Sequence, residues 1–352
     1  MKNKLIYLSL FVFFIFSIIA IYYTGFILNK YRYYYIKQII FIIIGLVLFI
    51  FLKKSNNNYV YKYSKYFYIL NVILLIVVLF ADKVNGSRSW IKLGMFSFQP
   101  SEFMKFTLII YLSTIINDKR ISEFKRIIYS IIITLIPSIL TFIEPDTGIV
   151  ISYIISLFFI IIFSDIRVIW PISLFSIFFL LVLVFYILVK SSNPFINKIF
   201  GDSISYRLER FNIKDGYQIN NALIGIGNGN LFGNLDKKYI IYIIEAPTDF
   251  IFTTILTYFG FILSFILIVF MFIFDYSIIK LSNNIIKLQL STIYGFVGIL
   301  LYQQFEHIFM NLGLMPITGI TLPFLSYGGS SLLSYLIMLG FILSFKDSYR
   351  YG

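Results

Sequence analysis

The run LIYLSLFVFFIFSIIAIYYTGFIL, Leu5–Leu28, carries no charged side chain. A hydrocarbon core about 30 Å thick requires about 20 such residues in a helix. The run follows Lys2 and Lys4, as a signal peptide would, but it is too long for an apolar signal core. It also lacks a small-residue cleavage site, so it reads as a retained membrane helix. Moving outward from it, nine more apolar runs have the length of a span. They lie near Gln38–Leu52, Tyr66–Ala81, Pro100–Ile116, Ile127–Ile143, Gly148–Phe163, Val168–Val189, Asp249–Phe274, Leu288–Met310 and Ser330–Phe345. The expected fold is an all-α membrane protein, a polytopic bundle of about ten transmembrane helices. The whole chain, 1–352, forms one transmembrane domain, with one large extracytoplasmic loop at 190–248.

Composition agrees and excludes several classes. Charged residues are 13% of the chain, half of the roughly 25% of a soluble domain, and they cluster between the apolar runs. With no cysteine and one histidine, His307, the chain has no disulfide framework, thiol nucleophile or multi-histidine metal site. The net charge of +13 is expected to mark cytoplasmic loops, not a nucleic-acid partner.

With the N-terminus in the cytoplasm, the inner segments hold fifteen Lys and Arg and the short outer loops hold six. The inner set includes Lys53, Lys54, Lys119, Arg120, Arg126, Arg167 and Lys346; the outer set is Lys30, Arg32, Lys37, Lys83, Arg88 and Lys92. The positive-inside rule then places both termini in the cytoplasm. That topology puts every polar motif on the outer face. GSRSWIKLG (Gly86–Gly94) and QPSEFMK (Gln99–Lys105) border the fourth span, and EPDTG (Glu144–Gly148) turns between the fifth and sixth. EAPTDFIF (Glu245–Phe252) enters the eighth, and PITGITLPFLSYGGSS (Pro316–Ser331) joins the last two. GIGNGNLFG (Gly225–Gly233) is only superficially a phosphate loop, because no strand–loop–helix pattern flanks it.

Several charged residues in these motifs have two readings. Asp249, at the start of a long apolar helix, is either an N-cap or a general base at the membrane boundary. Glu102 and Lys105 share a helix face; they form either a structural ion pair or a lysine facing a polar cavity. Arg88 beside Trp90 is an interfacial anchor or a cation for an anionic head group. Asp146 reads as a helix cap, and His307 as a buried polar contact. Arg207, Arg210, Lys237 and Lys238 make the outer loop basic, which suits either a solvated surface or pyrophosphate.

Six motifs in order resemble the SEDS family (shape, elongation, division and sporulation; RodA- and FtsW-like proteins). They are GSRSWIKLG, FQPSEFMK, EPDTG, GYQ (Gly216–Gln218) with the glycine-rich stretch, IEAPTDFIF and PITGITLPFLSYGGSS. The resemblance implies a glycosyltransferase that polymerises lipid II into peptidoglycan strands, in elongation or division. It implies that Asp249 is the catalytic carboxylate and that Arg88, Glu102, Lys105, Asp146, Glu245 and Ser330 bind or support substrate. It also implies a bacterial cell-membrane location, a class B penicillin-binding transpeptidase as partner, and other elongasome or divisome membrane proteins nearby. The short C-terminus and GLMPITGI (Gly313–Ile320) lean toward the RodA branch. The chain departs from the family pattern at Pro247, Ile244, Thr257, Tyr258, His307 and Phe309.

A single base predicts direct displacement with inversion at the donor's anomeric carbon. Arg88, Lys105 or the loop arginines would stabilise the departing pyrophosphate. A divalent cation bridging the phosphates fits that chemistry, and the sequence establishes no metal ligand. The competing readings are a lipid-linked sugar flippase and a catalytically weak scaffold for a transpeptidase. Outer-face motifs and the lack of a visible repeat argue against alternating access.

Overall fold

The computed structural model describes residues 2–83, 87–94, 96–176, 180, 216–236, 243–283 and 285–345. In lipid every backbone polar group needs an internal partner, so long apolar runs close into helices. Ahead of the large loop lie α1 (Lys2–Ile27), α2 (Tyr34–Lys53), α3 (Asn57–Lys62), α4 (Ser64–Val78), α5 (Pro100–Ile116), α6 (Glu123–Ile143) and α7 (Thr147–Ile162). α8 (Tyr217–Gly229) lies within that loop, and α9 (Ile251–Ile279), α10 (Lys287–Asn311) and α11 (Gly329–Ser344) follow it. Nine of the ten expected spans correspond to helices α1, α2, α4–α7 and α9–α11. Residues 169–176 are helical and open the remaining span. Residues 177–179 and 181–189 of that span lie outside the described residues, as do Arg207, Arg210, Lys237, Lys238, Lys346 and Arg350.

The bundle is layered by polarity. α1, α2 and α6 turn Phe11, Phe26, Val47, Phe51 and Ile139 outward, as an apolar solvent permits. α5 is instead buried on nearly every side, and it carries Ser101, Glu102, Lys105, Thr107 and Ser113 into the interior. α10 likewise buries Gln303, Glu306, His307 and Asn311. Length and composition alone qualify four segments as spans, none of which includes α5 or α10. Those two helices can be polar because protein, not lipid, surrounds them. α11 packs on α2, α9 on α1, and α10 on α7 and α5. An aromatic cluster joins α1, α9, the segment before α11, and α11 itself. Phe13–Phe274, Phe274–Phe324 and Phe324–Tyr335 have ring centroids 5.5, 5.2 and 5.4 Å apart.

Three features were not visible in the hydropathy pattern. The segment before α5 forms an antiparallel hairpin, β1 (Ile91–Leu93) with β2 (Phe96–Phe98), pairing Ile91 with Phe98. The large loop contains the helix α8. And α9 is broken at Gly260, whose φ of 75° and ψ of 179° are not helical.

The glycine-rich stretch explains that break. A kink frees backbone N–H groups that need new acceptors. Phe261 N–H donates to the Asn230 carbonyl at 3.0 Å and Ile262 N–H to Leu231 at 3.2 Å, while Asn234 N–H donates back to Thr257 at 2.8 Å. A Cβ on Gly260 would lie 2.2 Å from the Gly233 nitrogen, so the backbones meet with no room for side chains. GIGNGNLFG is thus a backbone clasp on the kink of α9.

Candidate active site

The site is organised by residues 316–328, which run between α10 and α11 without regular secondary structure. Their polar groups take partners from across the bundle. Ser17 donates to the Leu325 carbonyl at 2.7 Å, and Gln38 donates to Ser326 O at 3.3 Å and to Ser17 Oγ at 3.1 Å. Ser326 Oγ donates to the Thr248 carbonyl at 2.7 Å and accepts from Leu322 N–H at 2.8 Å. Tyr327 N–H donates to Pro247 O at 2.8 Å. Tyr34 stacks on the Tyr327 ring at 4.3 Å.

The last bonds reach the turn that carries Asp249. Glu245 sits at φ 56°, a left-handed conformation uncommon for such a side chain. Its carbonyl accepts from the N–H groups of Thr248, Asp249 and Phe250 at 3.2, 3.0 and 3.2 Å. The turn therefore closes on Glu245 and delivers Asp249 two residues ahead of α9. The N-cap position belongs to Phe250, which has no capping side chain. Asn311 of α10 supplies the cap: its Oδ1 accepts from Thr253 N–H at 3.0 Å and from Thr253 Oγ1 at 2.8 Å. Its Nδ2 donates to the Asp249 carbonyl at 3.0 Å. The Asp249 carboxylate is half-buried and faces the TGI strip; a Cβ built on Gly319 would lie 3.6 Å from its Oδ2. The Glu245 carboxylate pairs with the exposed Lys30 at 3.5 Å and accepts from Thr248 Oγ1 at 3.3 Å.

A second group lies on α5, α7 and α11. Lys105 Nζ is 2.6 Å from Glu102 Oε2, and both side chains are about 5% exposed or less. Lys105 also donates to Tyr335 OH at 2.9 Å, and Ser334 donates to Glu102 at 3.4 Å. Asp146 caps α7 by accepting from Ile149 N–H at 3.1 Å, and its other oxygen accepts from Gln99 Nε2 at 3.1 Å. Gln99 N–H donates to Ser330 Oγ at 2.9 Å, which places Ser330 at the junction of the hairpin and α11. Gly148 leaves room for Ile320: a Cβ there would meet its side chain at 2.4 Å. So the EPDTG and TDF turns seat on this segment, and the QPSE turn seats just beyond it, on the first turn of α11.

Burial sets the protonation of the EPDTG turn. It pushes the Asp146 carboxyl up to about 6, against the Ile149 N–H, with Glu102 adding a smaller upward push. Glu144 is fully buried, and neither carboxyl oxygen has a hydrogen-bond partner among the described residues. Desolvation, with the Asp146 charge behind it, pushes it up to about 9, so it is protonated at neutral pH.

Arg88 stands apart from both groups. It is exposed and donates to the Leu79 carbonyl at 3.1 Å, while its neighbour Ser89 reaches the Glu144 carbonyl at 3.0 Å. Among the described residues no cluster of three or more His, Asp or Glu is placed to hold a metal ion. Sequence reasoning did not single out Gln99, Asn311, Thr318 or Tyr335. Gln99 and Thr318 stood inside quoted motifs; Asn311 and Tyr335 are recognisable only by their partners.

An irregular segment held at depth by polar side chains, with carboxylates gathered around it, defines a polytopic membrane protein with a polar site built into its helices. The chain belongs to the FtsW, RodA and SpoVE family of cell cycle proteins, whose pattern matches residues 3–351. It is 31% identical over 328 residues to the probable peptidoglycan glycosyltransferase FtsW of Wigglesworthia glossinidia brevipalpis, covering 90% of this chain and 84% of that one. It is 29% identical over 337 residues to stage V sporulation protein E of Bacillus subtilis, covering 90% and 87%. Its fold matches the rod shape determining protein RodA of Thermus thermophilus, with a TM-score of 0.71 at 23% identity over 100% of this chain and 97% of that one. It also matches a chain of a peptidoglycan synthase complex that coordinates polymerization and crosslinking, with a TM-score of 0.78 at 23% identity over 99% and 98%.

Proposed function

We propose that this protein is a peptidoglycan glycosyltransferase that polymerises lipid II, with Asp249 as general base. The observation that carries the reading is the placement of Asp249. Its carboxylate is half-buried at the mouth of α9, on a turn locked by Glu245 and Asn311, against the segment where the other motifs meet. In the reaction the acceptor sugar hydroxyl gives its proton to Asp249 as its oxygen attacks the donor's anomeric carbon. The bond from that carbon to pyrophosphate breaks, and polyprenyl pyrophosphate leaves with the electron pair. Attack opposite the leaving group inverts the anomeric carbon. General-base catalysis is worth about 10²–10⁴-fold. Lys105 is matched by Glu102 and Lys30 by Glu245, so the leaving group's charge draws mainly on the exposed Arg88.

The positive-inside count puts both termini in the cytoplasm and the loop at 190–248 outside, where the site opens toward the lipid-linked donor. The partner is a class B penicillin-binding transpeptidase, consistent with the synthase complex whose chain shares this fold. GLMPITGI supports an elongation role; cell rounding on depletion fits that role, and filamentation fits division.

The test is Asp249→Asn in purified protein with its transpeptidase partner, lipid II and gel analysis of the glycan. Asn keeps the shape, and it would serve as a cap, but it accepts no proton. The expected result is a folded protein that binds lipid II and makes almost no polymer. Wild-type polymer would end the assignment, and translocation without polymer would identify a flippase.

A further inference from the structure

Most glycines with a positive φ in the described residues are crowded by the protein around them. A Cβ on Gly233 would lie 2.1 Å from the Tyr258 carbonyl oxygen, one on Gly260 2.2 Å from the Gly233 nitrogen, and one on Gly313 3.1 Å from Ile219. Gly94, at the turn of the β1–β2 hairpin, has open space instead. Gly319 is different from all of these. Its φ is 75° and it is exposed. Apart from its chain neighbours, a Cβ there would find one heavy atom within 4 Å, Asp249 Oδ2 at 3.6 Å. The residues on either side are tied back to α10. Thr318 Oγ1 donates a short hydrogen bond to Glu306 Oε1. The Ile320 carbonyl accepts from His307 Nδ1 at 2.8 Å; a carbonyl only accepts, so the ring proton sits on Nδ1. The same helix holds the turn of Asp249, because Asn311 donates to the Asp249 carbonyl at 3.0 Å and to the His307 carbonyl at 2.8 Å. One face of α10 therefore fixes both walls of a gap, with bare glycine backbone on one side and the Asp249 carboxylate on the other.

We propose that Gly319 governs access to the base: the space in front of its α-carbon, against Asp249 Oδ2, is where the acceptor sugar's hydroxyl lies as it reacts. The inference rests on the reading of Asp249 as the general base. A base takes a proton from an oxygen about 2.6–3.2 Å away. A Cβ at Gly319 would fill the volume beside Oδ2 at van der Waals distance and hold that oxygen off. The bare peptide instead presents a flat wall, along which the acceptor ring slides until its hydroxyl meets the carboxylate. The hydroxyl proton passes to Asp249 while the freed oxygen bonds to the donor's anomeric carbon and pyrophosphate leaves; the strip only shapes the approach. A left-handed turn alone would also favour glycine. Asparagine, however, enters that conformation far more readily than other residues with a side chain. The need for a turn and the need for space therefore part at an asparagine.

The test is Gly319→Asn in the full-length protein with its partner and lipid II, read by initial polymerisation rate, lipid II binding and unfolding temperature. The variant should keep the wild-type unfolding temperature and bind lipid II. It should polymerise about 10²-fold more slowly at saturating lipid II, the cost of displacing a reactant by about 1 Å. Gly94→Asn places the same side chain on a left-handed glycine with nothing within 4 Å, and it should polymerise at the wild-type rate. A wild-type rate in Gly319→Asn would overturn the proposal, as would an equal loss in Gly94→Asn. A slow Gly319→Asn that has also lost lipid II binding would overturn it too, since the defect would then lie in binding and not in the approach to the base. If Gly319→Asn does not insert, Gly319→Ala replaces it, because its methyl group already stands against Oδ2; a wild-type rate in that variant refutes the proposal. Asp249→Asn run alongside separates the two claims. Full polymer from Asp249→Asn removes the base itself, whereas an inactive Asp249→Asn beside a wild-type Gly319→Asn removes only the role of Gly319.

Discussion

Removing the ammonium of Lys105 would strand a carboxylate in the centre of the bundle. Lys105→Met keeps the length of the side chain and deletes its charge. Glu102 would then keep only the 3.4 Å bond from Ser334 and no cation, at about 4% exposure. Breaking a buried pair from one side costs about 3–5 kcal/mol, whereas removing both charges is close to neutral. The Lys105→Met and Glu102→Gln single variants should therefore each lose stability, and the double variant should recover most of the loss. With each single variant losing about 3–5 kcal/mol and the double variant close to wild type, the coupling in the double-mutant cycle should be about 6 kcal/mol or more, well above the roughly 0.5 kcal/mol scatter of independent sites. Unfolding free energies from denaturing-detergent titration of the four proteins supply the cycle. Additive losses would refute the pair as a structural unit. Polymerisation by the recovered double variant then reads the second role: full activity confines the pair to structure, and lost activity assigns the Lys105 charge to substrate.

Glu144 supplies a pH signature. Its folded carboxyl is raised to about 9, so its contribution to stability is full below about pH 4 and fades as pH rises toward about 9. Asp146, raised to about 6, adds a fall ending in the lower part of that window. Glu144→Gln should flatten the thermal-stability slope between about pH 6 and 9; an unchanged slope means that burial does not hold its proton. Gly260→Ala should lower the unfolding temperature, because a Cβ would meet the Gly233 nitrogen at 2.2 Å; equal stability in the variant would show that the clasp yields. Arg88→Ala should reduce polymerisation without a change in unfolding temperature, since the exposed guanidinium bonds a single backbone carbonyl among the described residues, that of Leu79 at 3.1 Å; unaltered rates would remove it from the site. Reporter fusions after Ser191 and Lys346 should lie on opposite sides of the membrane, and the same side for both would invalidate the topology.

Hydropathy located the helices because an apolar solvent leaves little choice. The span expected at Pro100–Ile116 coincides with α5, since Pro100 fixes its first turn. The kink at Gly260 was illegible for the opposite reason: the acceptors that make it tolerable come from Asn230 and Leu231, in another element. The same holds for Asn311, an ordinary interior asparagine until Thr253 and Asp249 are brought to it. Asp249 itself could be singled out as a cap or a base, and the structure moves it one residue outside the cap position. Lys105 was legible as a partner of Glu102 through their three-residue spacing, while its contact with Tyr335 depends on how α11 packs.

Residues 316–328 have a consequence for the life of the nascent chain. Their backbone is satisfied by Ser17 and Gln38, among the earliest residues made, and by the Pro247 carbonyl midway along. They are followed by α11, which docks on α2. A ribosome that has released everything through α10 has delivered Asp249, Glu306 and most of the membrane mass, yet no cavity to put them in. The site comes into being when α11 closes against α2. Chains released only as far as α10 sit in the membrane without the geometry of the site.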